Sequence, residues 1–189
     1  LQRKTSESRI NSNYLKNNTL HLIENHPKHQ KIRIGYFSGD FREHPLSYLT
    51  AELYEVHNRS HFEIHAFSFG PDTNDEMNLR IKAGVDHFHD VHSMTHKEIA
   101  ELARSLEIDI AVDLTGHTAE ARTDVFAMSA APLQVNYLGY AGSMGLKYID
   151  YLIADHIVIP KNNILNYTEK IVYLPNSYMV HDTQNRISK

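Results

Sequence analysis

The chain has 189 residues, 41% hydrophobic and 22% charged, which is enough for one ordinary core and too polar for a membrane span. A formal net charge of −4 with a pI near 6.4 argues against a nucleic-acid-binding surface, and the absence of cysteine excludes disulfides and thiolate zinc sites, which fits a cytoplasmic protein. No apolar run approaches the roughly 18 residues of a spanning helix, residues 1–9 (LQRKTSESR) lack the apolar core of a signal sequence, and a start at Leu1 in place of Met points to a piece of something larger.

Residues 1–30 are polar, with Asn11, Asn13, Asn17, Asn18 and Asn25 interrupting any long periodicity, and read as a linker or connecting helix. From residue 31 the pattern alternates. Strands are predicted over 31–38, 62–69, 86–91, 108–114, 133–138, 150–154 and 170–174, and helices over 46–58, 75–83, 96–106 and 121–129. That order implies an α/β fold, a Rossmann-like doubly wound and mainly parallel sheet joined by right-handed crossovers. Thr95 followed by Glu98 matches a capping box, and Ile99, Leu102, Ala103 and Leu106 give the helix after it one apolar stripe.

The densest segment is KIRIGYFSGDFREHP, residues 31–45. Its apolar run forms a strand, Gly39 permits a sharp turn, and Pro45 suits the first position of the next helix. Asp40 and His44 therefore lie at the strand's carboxyl end, the edge where open α/β sheets bind ligands. IDIAVDL (108–114) reads as a strand buried on both faces and ends at Thr115-Gly116, while APLQVNYLGYAGSMG (131–145) runs into a turn with Gly139, Gly142 and Gly145. Such glycines let a ligand approach backbone amides closely. The turns around Asp40 and His44, around His117, and over 139–145 all follow strands and are expected to share one edge.

Each residue also has an ordinary structural reading. Asp40 can be a helix cap, His44 a capping or surface residue, Arg122 a solvated charge at a helix start, and the glycines simple turn geometry. The cluster His87, His89, His92 and His96 is the main competing signal. His87 and His89 would share a strand face, but no helix aligns His92 with His96, so the cluster reads as an exposed strand and loop and no metal is expected.

Five segments in fixed order, IRIGYFSGDFREHP (32–45), DIAVDLTGHTAEAR (109–122), APLQVNYLGYAGSMG (131–145), DYLIADHIVIP (150–160) and EKIVYLPNSY (169–178), resemble the catalytic region of the protein O-GlcNAc transferases and their Spindly-type relatives, glycosyltransferase family 41. The resemblance implies that residues 31–180 are the amino-terminal Rossmann-like lobe of a two-lobed GT-B enzyme. Residues 181–189 would then lead toward a second lobe, and helical tetratricopeptide repeats would lie upstream. It implies an inverting, cofactor-free and metal-independent transfer of N-acetylglucosamine from UDP-GlcNAc to Ser or Thr hydroxyls of acceptor proteins. The isolated lobe would have little or no activity.

By the same resemblance Asp40 and His44 share the catalytic positions, with Asp40 relaying the acceptor proton and His44 orienting donor or acceptor. Pro45, His117, Arg122, Leu138 and Gly139 fall at donor- or substrate-binding positions. His117 stands where animal enzymes carry a tyrosine and keeps a hydrogen-bond donor there, Leu46 replaces a threonine, and neither His21 nor His26 is matched to an upstream histidine of the family. Two alternatives accompany this reading: a Spindly-type fucosyltransferase lobe using a guanosine diphosphate sugar, and a non-catalytic protein-interaction module.

Overall fold

The computed structural model describes residue 23 and residues 29–184, so the expected linker over 1–30 lies almost wholly outside the described residues. Seven strands form one sheet: β1 (Ile32–Ser38), β2 (Phe62–Ser68), β3 (His87–Asp90), β4 (Ile110–Asp113), β5 (Leu133–Asn136), β6 (Tyr151–Ala154) and β7 (Lys170–Tyr173). The helices are α1 (Pro45–Val56), α2 (Glu76–Gly84), α3 (His96–Ser105) and α4 (Thr123–Ala127), with a 3₁₀ turn at Lys161–Asn166 that the sequence pattern did not indicate. Among the described residues, no helix is long and apolar enough to cross a membrane.

The strand order is β3-β2-β1-β4-β5-β6-β7 and every pairing is parallel. The chain winds outward from β1 to β3, crosses back through α3 to β4 beside β1, and continues to β7. The winding direction reverses between β1 and β4, which makes their carboxyl ends the switch point of the sheet.

Alternation along the central strands builds the two cores. Ile34 and Tyr36 of β1 face one side, with Ile64, Ala66 and Val112, and meet Leu46, Ala51 and Tyr54 of α1 and Met77 and Ile81 of α2. Phe37 faces the other side with Phe67, Ile108 and Ala111, against Ile99, Ala100 and Ala103 of α3 and Val125 and Phe126 of α4. Phe37 stacks on Phe67 at 4.3 Å between centroids and takes the edge of Phe126 at 5.3 Å. Such aromatic pairs add roughly 0.5–1.5 kcal/mol beyond the area they bury. A smaller cluster of Leu152, Ala154 and Ile159 closes the β6–β7 end.

The element boundaries differ from the expected ones for local reasons. β5 stops at Asn136 because Leu138 takes a left-handed φ of 70°, which a strand cannot hold. β4 begins at Ile110 because the Ile108 amide donates to the Ala103 carbonyl and so still closes the end of α3. α4 has five residues where nine were expected: its N-cap Arg122 lies outside helical φ/ψ and Ser129 has φ 55°. The expected capping box is present, with the Glu98 amide donating to Thr95 Oγ1 and the Thr95 amide to Glu98 Oε2.

The stretch after residue 180 is anchored where described. Arg80 donates to both carboxylate oxygens of Asp182 and to Glu55, and the Thr183 amide and hydroxyl donate to Glu52, so residues 182–184 lie against α1 and α2.

Candidate active site

The loops that leave β2, β1, β4 and β5 touch one another in spatial order along the carboxyl edge. The Phe69 amide donates to the Ser38 carbonyl, and Gly70 lies so close to Gly39 that a Cβ there would sit 1.8 Å from the Gly39 carbonyl oxygen. A Cβ on Gly39 would stand 3.6 Å from the Glu120 carboxylate of the loop after β4. The Leu114 amide donates to Phe37 and the Tyr137 amide to Asp113, which carries the edge on to the loop after β5. The loops bearing Asp40, His117 and Gly139 thus meet on one rim, as the positions of their strands imply.

Asp40 is not the cap of α1. His44 is: its Nδ1 accepts the Leu46 amide at 3.2 Å, with Pro45 at the first helical position. Because Nδ1 accepts, the neutral ring carries its proton on Nε2, which is left to donate outward. The Asp40 carboxylate is four-fifths buried, receives Arg42 Nη2 on Oδ1 at 3.4 Å, and has Oδ2 3.7 Å from His44 Nδ1. Its backbone is held from both sides, since the Asp40 amide donates to Ser38 Oγ and Ser47 Oγ donates to the Asp40 carbonyl. Carboxylate and imidazole therefore form an adjacent pair whose orientation is set before any ligand arrives. Pro45 is exposed beside them at the first position of α1.

His117 is exposed, and its Nε2–H donates to the Met144 carbonyl at 2.8 Å while its ring meets Tyr140 edge-on at 5.4 Å. The hydrogen-bond donor expected to face a ligand is spent within the chain. The neutral ring offers Nδ1 as an acceptor instead. Arg122 is tied down as well: Nη1 donates to Met94 and Nη2 to His92, with the guanidinium 5.6 Å from the Phe69 centroid. It braces the loop after β3 and is not a solvated charge. With Phe69, Met94, Thr95, His96, Glu120 and Ala121 it lines an open cleft of about 520 Å³ next to the Gly39 turn.

The glycine turn packs closely against its own chain. A Cβ on Gly139 would lie 1.9 Å from the Leu114 carbonyl oxygen, one on Gly116 (φ 60°) 2.4 Å from Tyr140 Cβ, and one on Gly142 2.9 Å from the Tyr140 ring. The close approach these residues permit is to their own chain: Tyr140 is sandwiched between Gly116 and Gly142, and Gly139 abuts the end of β4. The Gly139 amide is also committed, to the Tyr137 carbonyl at 2.9 Å. Leu138 at φ 70° and Glu120 at φ 62° are non-glycine residues in left-handed backbone, a cost of about 1 kcal/mol or more each, and both lie on this rim.

Two acids beneath the rim were not singled out from the sequence. Asp113, fully buried at the end of β4, accepts the Thr115 and Gly116 amides on Oδ1; burial pushes its carboxyl above the usual range, against those two hydrogen bonds. Its Oδ2, Thr115 Oγ1 and Asn136 Oδ1 have no hydrogen-bond partner among the described residues. Glu169, buried before β7, accepts the Met144 amide at 2.7 Å and the Ser143 hydroxyl at 2.8 Å and so holds the turn that carries the Met144 carbonyl used by His117. Both stand in segments quoted for the family resemblance, Asp113 in 109–122 and Glu169 at the start of 169–178, and Asp113 is also a carboxylate within an apolar strand.

The chain matches the family model of Glycosyl transferase family 41 over residues 9–189. It is 40% identical over 157 residues to an Arabidopsis thaliana protein named probable UDP-N-acetylglucosamine–peptide N-acetylglucosaminyltransferase SEC, a match covering 83% of this chain and 16% of that protein. A Caenorhabditis elegans UDP-N-acetylglucosamine–peptide N-acetylglucosaminyltransferase is 35% identical over 156 residues, covering 81% of this chain and 13% of the relative. Among solved structures, a Thermobaculum terrenum O-GlcNAc transferase mutant, K341M, superposes with a TM-score of 0.80 at 32% identity over 88% of this chain and 33% of its own. The chain spans about one sixth of the length of the first of these sequence relatives and about one eighth of the second. A doubly wound parallel sheet whose switch-point loops carry the ordered motifs, and a family match over nearly the whole sequence, lead to one assignment: the chain belongs to glycosyl transferase family 41.

Proposed function

We propose that this chain is the amino-terminal catalytic lobe of an inverting protein O-linked N-acetylglucosaminyltransferase that moves GlcNAc from UDP-GlcNAc to Ser or Thr hydroxyls of proteins, with no metal in the transfer step. The names of its relatives support the donor and the acceptor class. The carrying observation is the Asp40–His44 pair, preset on the rim at the switch point of the sheet.

In a single displacement the acceptor oxygen attacks the anomeric carbon, the bond from that carbon to the diphosphate oxygen breaks, and the diphosphate leaves with the electron pair. The hydroxyl proton passes to the Asp40 carboxylate and on to solvent. His44, with Nδ1 engaged by the helix cap, acts through Nε2–H as a hydrogen-bond donor that orients donor or acceptor, and Arg42 holds the Asp40 carboxylate in place. Proton transfer by a positioned group contributes about 10²- to 10⁴-fold. Leu138 and Gly139 act by shaping the turn against Leu114, and His117 and Arg122 by fixing the neighbouring loops.

The test is transfer and nucleotide-sugar hydrolysis by the full natural polypeptide and its Asp40→Asn and His44→Ala variants, with a donor panel that includes GDP-fucose. Turnover with UDP-GlcNAc that falls more than tenfold in both variants is expected. Undiminished turnover in both removes the assignment of the pair, and turnover confined to GDP-fucose replaces the donor.

A further inference from the structure

Glu63 and His65 stand two residues apart on β2 and so project from the same face, and His87 is the residue that β3 pairs with His65. The register therefore delivers one carboxylate and two imidazoles to a single patch. Glu63 Oε1 is 3.0 Å from His65 Nε2 and 3.3 Å from His87 Nε2, and a ligand atom from each of the three residues lies within 4.8 Å of the other two. Tetrahedral zinc with bonds of about 2.0–2.1 Å places its ligand atoms roughly 3.3 Å apart, so two of the three edges are already at coordination spacing.

We propose that Glu63, His65 and His87 form a divalent-metal site of the zinc type, with a fourth position open to water. The donor set is two imidazoles and one carboxylate, which suits borderline cations such as Zn²⁺ better than Mg²⁺ or Ca²⁺. The surroundings orient it. His89 Nε2 lies 3.1 Å from His65 Nδ1, so with Nδ1–H donating to His89 the Nε2 lone pair of His65 faces the site, the arrangement in which a metal-bound histidine is usually found. Arg33 Nε lies 3.7 Å from Glu63 Oε2 and holds the second carboxylate oxygen away from the ion. Access is open on one side, since His87 is half exposed while His65 is buried.

The site is separate from the rim. His65 lies three residues and Glu63 five residues before the carboxyl end of β2, about 10–17 Å along the strand. A cation there ties the edge strand β3 to β2 and has no part in sugar transfer. The sequence spacing of His87, His89, His92 and His96 pointed away from a metal because it omitted β2: His92 and His96 stand apart, and the missing ligands come from a strand more than twenty residues earlier.

Without an ion the same atoms can be joined by hydrogen bonds from His89 to His65 to Glu63, and zinc titration distinguishes the two states. Equilibrium dialysis with ZnCl₂ alone is applied to the full natural polypeptide and to His87→Ala, Glu63→Gln, His92→Ala and His96→Ala variants. His87 is exposed enough for its truncation to leave the fold intact, which far-UV circular dichroism checks. The wild type is expected to bind one equivalent more than the His87→Ala variant, Glu63→Gln is expected to weaken that equivalent at least tenfold, and the His92 and His96 variants are expected to match the wild type. A Zn²⁺ excess of 100-fold over Kd is expected to raise the Tm of the wild type and not that of the His87→Ala variant. Equal uptake by wild type and His87→Ala, or loss caused equally by the His92 or His96 substitution, overturns the proposal.

Discussion

Replacing Gly139 by Ala puts one methyl group where the Leu114 carbonyl already is. The new Cβ would start 1.9 Å from the oxygen, whereas real Cβ contacts essentially never fall below 3.0 Å, so at least 1.1 Å of separation (3.0 − 1.9) must come from backbone movement. Neither side yields easily. The Leu114 amide is hydrogen-bonded to Phe37, Tyr137 to Asp113, and Leu138 is already in left-handed backbone. Overpacking of this kind costs about 1–3 kcal/mol, and the rigid backbone on both sides places this case at the upper end, about 3 kcal/mol. For a domain of this size that is a fall of roughly 6–12 °C in Tm.

The displaced turn borders the loop that carries His117 and the switch point next to Asp40. A shift of about 1 Å in positioning elements can cost about 100-fold in rate. Thermal denaturation of the purified polypeptide, and transfer at a temperature where the variant stays folded, test the two parts separately. A Gly139→Ala protein within about 1 °C of the wild-type Tm would refute the packing argument. One with the expected Tm loss and unchanged turnover would show that this turn does not position the reacting groups.

Asp155 supplies a pH test. The Val158, Tyr178 and Ile157 amides donate to its carboxylate and hold it below the usual value of 3.8, so the native state binds this proton less readily than the unfolded chain. Its stabilisation is complete above the unfolded value and is lost as pH falls through the lower native one. The wild-type Tm should therefore drop more steeply below about pH 4 than that of Asp155→Asn, and parallel acid limbs would contradict the assignment. Arg80→Ala leaves the buried Asp182 carboxylate without its guanidinium and is expected to cost about 2–3 kcal/mol, less than a fully buried pair because Arg80 is partly exposed. Limited proteolysis should then cut after residue 180 faster, and unchanged cleavage would mean that Arg80 does not hold this segment.

The α/β class and the parallel order were legible because their cause is periodic and local. IRIGYFS, IDIAVDL and the run from 131 to 136 are apolar strands punctuated by helices with caps such as Thr95–Glu98, and alternation of that kind has few three-dimensional solutions. The placement of Asp40 and His44 at a strand's carboxyl end followed from the apolar run before them, Gly39 and Pro45. What those side chains do there was not legible, because it depends on partners far along the chain or on the choice of one atom: His44 took the cap that Asp40 might have filled, and His117 spent its N–H on Met144, twenty-seven residues on. The glycines show the same division. Composition marked 139–145 as a turn needing freedom, yet the atoms that require it belong to Leu114 and Tyr140, brought there by the pairing of β4 with β5. Glu63 and His65 carry no signal in a linear reading and His87 only that of its histidine cluster, yet the three are adjacent in the sheet, because neighbouring strands lie about 4.8 Å apart however many residues separate them along the chain.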